Sequence, residues 1–202
     1  MNRTILLLLV CCLSASAATI NVAFGGINLN STDTSKAGTL TDPWFVDEDM
    51  KGPGALVIQD FDADNPTGTF HSKGRWFRKT IRNSTGIPWT SFELELQVIP
   101  GTPSDEFDGL SFADGSALVG SFTSDKFSRY TRLDITRDYL NFSNGLVEPG
   151  ESVTFHFVIT DNGNNNPFYL LQTPNLVDIP EPSTWALLAS GLLLGAAHVR
   201  KR

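Results

Sequence analysis

The chain has 202 residues, a formal net charge of −7 and only 18% charged residues. That length suits one domain with appendages, and 41% hydrophobic residues with 14 Phe exclude wholesale disorder. The acidic balance excludes a nucleic-acid partner, whose phosphates would be repelled.

The first segment reads as a secretory signal. Arg3 supplies the positive end, Ile5 to Leu13 form an apolar run of nine residues, and Ala15-Ser16-Ala17 is a small-residue cleavage site. The run is too short to span a hydrocarbon core of ~30 Å. Residues 1–17 are therefore expected to be a signal peptide, with Ala15 and Ala17 recognised by signal peptidase. Cysteine usage follows from this. Cys11 and Cys12, the two in the chain, leave with the signal. The mature protein is then expected to have no disulfide, no cysteine nucleophile and no thiolate metal site.

From residue 18 to 178 the pattern is β. Candidate strands run, in order, over Thr19 to Phe24, Ala55 to Phe61, Arg75 to Arg82, Thr90 to Val98, Ala117 to Phe122, Tyr130 to Ile135, Ser152 to Thr160 and Phe168 to Gln172. The clearest is Thr90 to Val98, with Phe92, Leu94, Leu96 and Val98 on one face and Ser91, Glu93, Glu95 and Gln97 on the other. Ser152 to Thr160 alternates likewise, with Val153, Phe155, Phe157 and Ile159 turned to the core. Glu148-Pro149-Gly150-Glu151 before it is a turn. No segment shows a sustained helical period. Short strands separated by Gly, Asn and Pro predict an all-β fold, an antiparallel β-sandwich of roughly eight strands, jelly-roll or Ig-like, between a signal helix and a C-terminal hydrophobic helix.

Several residues in this domain are chemical candidates. Asp60, Asp62 and Asp64 stand at alternate positions, the spacing that gathers oxygens around calcium. The rest of the EF-hand pattern is missing, because Asn65 replaces its Gly and His71 stands where its Glu belongs. A solvated acidic turn is the competing reading. Calcium is thus the one cofactor the sequence suggests. Lys73, Arg75, Arg78, Lys79 and Arg82 form a basic stripe, with Arg75 and Lys79 on one strand face and Arg78 and Arg82 on the other. It reads either as a contact for acidic polysaccharide, helped by Trp76, or as a charged edge strand. His156 is expected on the outer face of its strand. No His-x-His or His-Glu pattern supports zinc, and no G-x-S-x-G supports a nucleophile elbow. Catalytic residues are not identified.

The C-terminus carries the most specific pattern. Two prolines at Pro180 and Pro182 force an extended strip. The apolar run from Trp185 to Val199 follows, about 22 Å long as a helix, and ends in Arg200-Lys201-Arg202. Basic side chains there stay cytoplasmic, leaving the upstream domain outside. This tail, Pro180-Glu181-Pro182-Ser183-Thr184-Trp185-Ala186-Leu187-Leu188 with the closing Arg200, Lys201 and Arg202, resembles the PEP-CTERM sorting signal of Gram-negative bacteria. The resemblance covers residues 179–202. It implies handling by exosortase near the Pro-Glu-Pro strip, transient anchoring in the inner membrane by the apolar helix, and delivery to the cell surface or an extracellular polysaccharide matrix. Ile81 to Leu96 also resembles a strand–turn–strand unit of PEP-CTERM-bearing proteins, and reads physically as a hairpin corner with Asn83 and Gly86 in the turn and Trp89 and Phe92 buried.

Without the two signals, 11 basic and 21 acidic residues remain, a charge near −10. The leading expectation is a non-catalytic surface or biofilm-matrix protein. The alternative is a carbohydrate-binding module using exposed aromatics such as Trp44 or Trp76. An extracellular hydrolase is the least favoured reading.

Overall fold

A computed structural model of the chain describes residues 17–62, 65–66, 73–105, 107–113, 122–133, 135–163 and 165–175. Every regular element among them is a strand: β1 (Thr19–Asp33), β2 (Trp44–Gln59), β3 (Asn65–Pro66), β4 (Lys73–Asn83), β5 (Trp89–Ile99), β6 (Thr102–Pro103), β7 (Leu110–Ser111), β8 (Thr123–Ser124), β9 (Phe127–Leu133), β10 (Tyr139–Val147), β11 (Ser152–Asp161) and β12 (Phe168–Pro174). The signal and tail helices expected from the sequence fall on residues 1–16 and 176–202, outside the described residues.

The strands form one curled mixed sheet in the order β7-β11-β4-β2-β12-β5-β10-β9, with β1 paired along β2. The expectation of a wholly antiparallel arrangement needs correction. β2 runs parallel to β4, from Trp44 opposite Phe77 to Met50 opposite Asn83. Alternation reports which residues share a face, and it is identical for both strand directions. The expected count of eight is also low, because the sheet includes twelve strands among the described residues, several of two residues.

β2 is the pivot of the curl. Its first half pairs with β4 and its second half with β12, while β1 follows it on the opposite edge throughout. The partner changes between Met50 and Gly54, across Gly52-Pro53-Gly54. β1 has its own glycine pair here, Gly25-Gly26, flanked by register shifts. A Cβ on Gly25, whose φ is +90°, would collide with the backbone of Pro53 and Gly54; one on Gly54 would lie 2.7 Å from the Phe24 carbonyl oxygen. Only glycine allows both chains to bend together at this approach.

The curl closes over an aromatic interior. Phe155 of β11 lies 4.9 Å from Phe92 of β5, 4.8 Å from Phe142 of β10 and 6.1 Å from Phe127 of β9, between ring centroids. Val153, Phe155, Phe157 and Ile159 are all fully buried, on the face that alternation assigned. The segment 83–89 crosses from β4 to β5 as a corner. It is not a hairpin, since β4 pairs with β2 and β11 while β5 pairs with β12 and β10. The Asn83 carboxamide holds it by accepting from the Thr85 amide at 3.0 Å and donating to the carbonyls of Ile87 at 2.8 Å and Val147 at 3.0 Å.

The sequence reading missed β10. Its Asn144-Gly145 step resembles a hairpin turn, yet Asn144 takes a φ of +59° inside the strand, where the pairing with β5 shifts register before Val147. The candidate strand Ala117 to Phe122 lies, except for Phe122, outside the described residues.

Candidate functional site

Three residues drawn from separate sequence patterns, Trp44, Asp62 and Arg75, line one cavity of about 260 Å³ with Thr34, Ser35 and Lys36, beside Ala17 and Ala18. β2 places Trp44 at its first residue, β4 places Arg75, and the chain leaving β2 brings Asp62. The Arg75 guanidinium lies 5.5 Å from the Trp44 ring centroid, donates to the Ala37 carbonyl at 2.8 Å and pairs with the Asp62 carboxylate at 3.6 Å. Its Nε donates to the Asp62 carbonyl. Trp44 donates its indole N–H to the Lys36 carbonyl at 3.1 Å, and Thr34 donates its hydroxyl to the Ala18 carbonyl at 2.6 Å. Lys36 pairs with Asp42 at 3.7 Å. The Ser35 hydroxyl and amide hold the Asp33 carboxyl below its ordinary range. Polar groups around this cavity therefore bind the loop 34–42 to β4 and to Ala18, just before β1.

The expected carbohydrate platforms are corrected by burial. Trp44 is 3% exposed and packs edge-on against Phe61 and Phe77 at 5.6 and 5.5 Å; Trp76 is 4% exposed and stacks on His156 at 5.1 Å. Neither offers a free face to a sugar. The rings fill core space that alternation alone could not assign. The basic stripe is also divided. Arg78 and Arg82 are exposed, whereas Lys79 is fully buried, 2.7 Å from the equally buried Glu48. His156 is half-buried, so burial and then the nearby Arg78 charge lower its pKa. Asp60 is exposed at a φ of +54°, its amide held by Asn166 at 2.8 Å. Asp64 and His71 lie outside the described residues, among which no three His, Cys, Asp or Glu side chains gather for a metal ion.

A second polar cluster lies on a face of β5 that is covered rather than open. Glu93, Glu95 and Gln97, on the face opposite Phe92, Leu94 and Leu96, are only 2%, 3% and 5% exposed. Arg137, from the turn before β10, bridges the carboxylates of Glu93 and Glu95 and lies over the Tyr139 ring at 4.8 Å. Gln97 donates to Glu95 at 2.5 Å. Burial tends to lower the Arg137 pKa, and the two carboxylates more than offset it, so the net shift is upward. A charge-alternating strand carries no local sign that an arginine far along the chain will cover it.

The sorting residues Pro180, Glu181, Pro182, Ser183, Trp185, Arg200, Lys201 and Arg202 lie outside the described residues, as does Ala15, while Ala17 is exposed at the cavity's edge. A family model described as the PEP-CTERM protein-sorting motif matches residues 178–202. The chain carries a PEP-CTERM sorting signal. Exosortase processing and export follow from that signal, whose matched span begins one residue before the stretch recognised in the sequence. No curated protein and no solved structure matches the chain.

Proposed function

We propose that the protein is a non-catalytic component of the cell surface or extracellular matrix, delivered there as a thiol-free β-domain after signal peptidase and exosortase act on its two ends. The observation that carries this reading is the sorting motif at 178–202. Two features of the domain support it. One cavity among the described residues, that beside Trp44 and Arg75, is crossed by contacts that tie the loop 34–42 to the sheet. The carboxylates that share a face, Glu93 and Glu95, are both held by one guanidinium, an arrangement suited to holding a sheet together. The finer fold reading is a two-layer sandwich, with β11, β4 and the first half of β2 facing β12, β5, β10 and β9; contacts of Phe155 with Phe92 and Phe142 support it.

The test is terminal mapping by mass spectrometry of cell envelope and culture medium, with and without the host exosortase. The mature domain is expected outside the inner membrane and lacking residues 1–17, with the tail retained in full when exosortase is absent. Unprocessed chain in the cytosol of the native host would overturn the proposal. A glycan array with the same material separates the matrix reading from the carbohydrate-binding alternative, and no saccharide-specific binding is expected.

A further inference from the structure

Lys79 of β4, Glu48 of β2 and Gln172 of β12 meet in the interior, all at 0% exposure. Val46 and Met50 bracket Glu48 along β2, Phe77 and Ile81 bracket Lys79 along β4, and Leu170 precedes Gln172 on the same face of β12; all five are buried. One carboxylate oxygen serves both nitrogens. Glu48 Oε2 lies 2.7 Å from Lys79 Nζ and accepts from Gln172 Nε2 at 3.4 Å. The remaining oxygens, Glu48 Oε1 and Gln172 Oε1, meet no hydrogen-bond donor among the described residues, and Lys79 Nζ meets Glu48 as an ion pair without hydrogen-bond alignment. An ion pair taken so far from water is rarely a net source of stability, because desolvation offsets the Coulomb attraction. The trio does bring an amine and a carboxamide to one carboxylate oxygen.

We infer that Lys79 and Gln172 become joined in an intramolecular isopeptide bond, with Glu48 as the acid–base group between the attacking and the departing nitrogen. The Lys79 ammonium passes a proton to Glu48 Oε2, and the neutral amine adds to the Gln172 carboxamide carbon. Glu48 then delivers that proton to the amide nitrogen. The carbon–nitrogen bond of the carboxamide breaks, and the second amine proton leaves with it through the same carboxylate. The products are a Lys79–Gln172 amide, one ammonium ion and Glu48 as a carboxylate, so Glu48 is regenerated and no oxidant or activating nucleotide is required. Burial lowers the Lys79 pKa, opposed by Glu48, which favours the neutral nucleophile. Exclusion of water protects the amine from reprotonation by solvent.

The bond has a structural use. β4 and β12 are the successive partners of β2 on one edge, and the partner changes at Gly52-Pro53-Gly54. A covalent link from β4 to β12 staples the curl across that change. In a domain whose cysteines are expected to leave with the signal peptide, it supplies the cross-link that a disulfide would otherwise provide.

The test is intact-mass and peptide mass spectrometry on the purified full chain, alongside Glu48→Gln. A Lys79 peptide joined to a Gln172 peptide, lighter by one ammonia and absent from Glu48→Gln, is the expected result. Finding both peptides separate and at full mass in the natural chain overturns the inference, whatever the variant does. A product that has lost water and joins Lys79 to Glu48 also overturns it, since Gln172 would then be a bystander. Linkage that persists in Glu48→Gln refutes the proton-transfer role. Should Glu48→Gln fail to fold, the natural chain alone decides whether the bond exists.

Discussion

Replacing Arg137 by Met removes a cation that bridges Glu93 and Glu95, two carboxylates at 2% and 3% exposure on one face of β5. Residues two apart on a strand are separated by about 6.8 Å. At an effective dielectric constant of about 20, two negative charges at that distance repel by about 2.4 kcal/mol. Losing the charge-assisted hydrogen bonds adds about 1.5–3 kcal/mol, so the total lies near 4–5 kcal/mol, the upper part of the range for breaking a buried pair. Urea unfolding at pH 7.5 should therefore show a midpoint displaced by that free energy with the slope unchanged. Adding Glu93→Gln and Glu95→Gln to the same chain should restore most of the loss at neutral pH. A loss below about 1 kcal/mol would show that these carboxylates remain hydrated, and the reasoning would fail.

Three further outcomes are expected. Gly25→Ala should destabilise by more than about 2 kcal/mol, because strain at a φ of +90° adds to collision with the backbone of Pro53 and Gly54; Gly86→Ala, at a φ of +81° in open space, should lose only about 1 kcal/mol, and equal losses in thermal melts would contradict the close approach of β1 to β2. Phe155→Ala removes a fully buried ring touching Phe92, Phe127 and Phe142 and should cost about 3–5 kcal/mol in chemical denaturation, with a loss under 1 kcal/mol refuting that packing. Because the folded His156 pKa is depressed by burial and Arg78, the unfolded chain binds its proton first on acidification. Its contribution is present above the ordinary value of about 6.5 and is lost as pH falls below it; His156→Gln should flatten stability between pH 7 and 5, and an unchanged slope would refute the assignment.

The core face was legible where one side of a strand is wholly apolar. Val153, Phe155, Phe157 and Ile159 could be assigned from alternation, because no other placement hides four large side chains at once. The same rule failed at Lys79, Glu93 and Glu95, since alternation separates two faces but does not report that both are covered. Trp44 and Trp76 failed for a related reason, as an aromatic ring suits a sugar platform and a core equally well. β2 was read only from Ala55 onward because the acidic run Asp47-Glu48-Asp49 and Gly52-Pro53-Gly54 break its apolar pattern. Long-range partners supply the missing compensation, Lys79 for the buried charge and Gly25-Gly26 for the bend.

The amino-acid sequence by itself determined the address and the secondary-structure class. A sorting signal is read by its receptor as a linear string, and strand propensity with period-two patterning is local. Only the tertiary structure decided the parallel β2–β4 pair, the site lined by Trp44, Asp62 and Arg75, and the meeting of Lys79, Glu48 and Gln172. These depend on which distant segments share an edge or a cavity, and that is fixed by the curl of the whole sheet around its buried aromatic core.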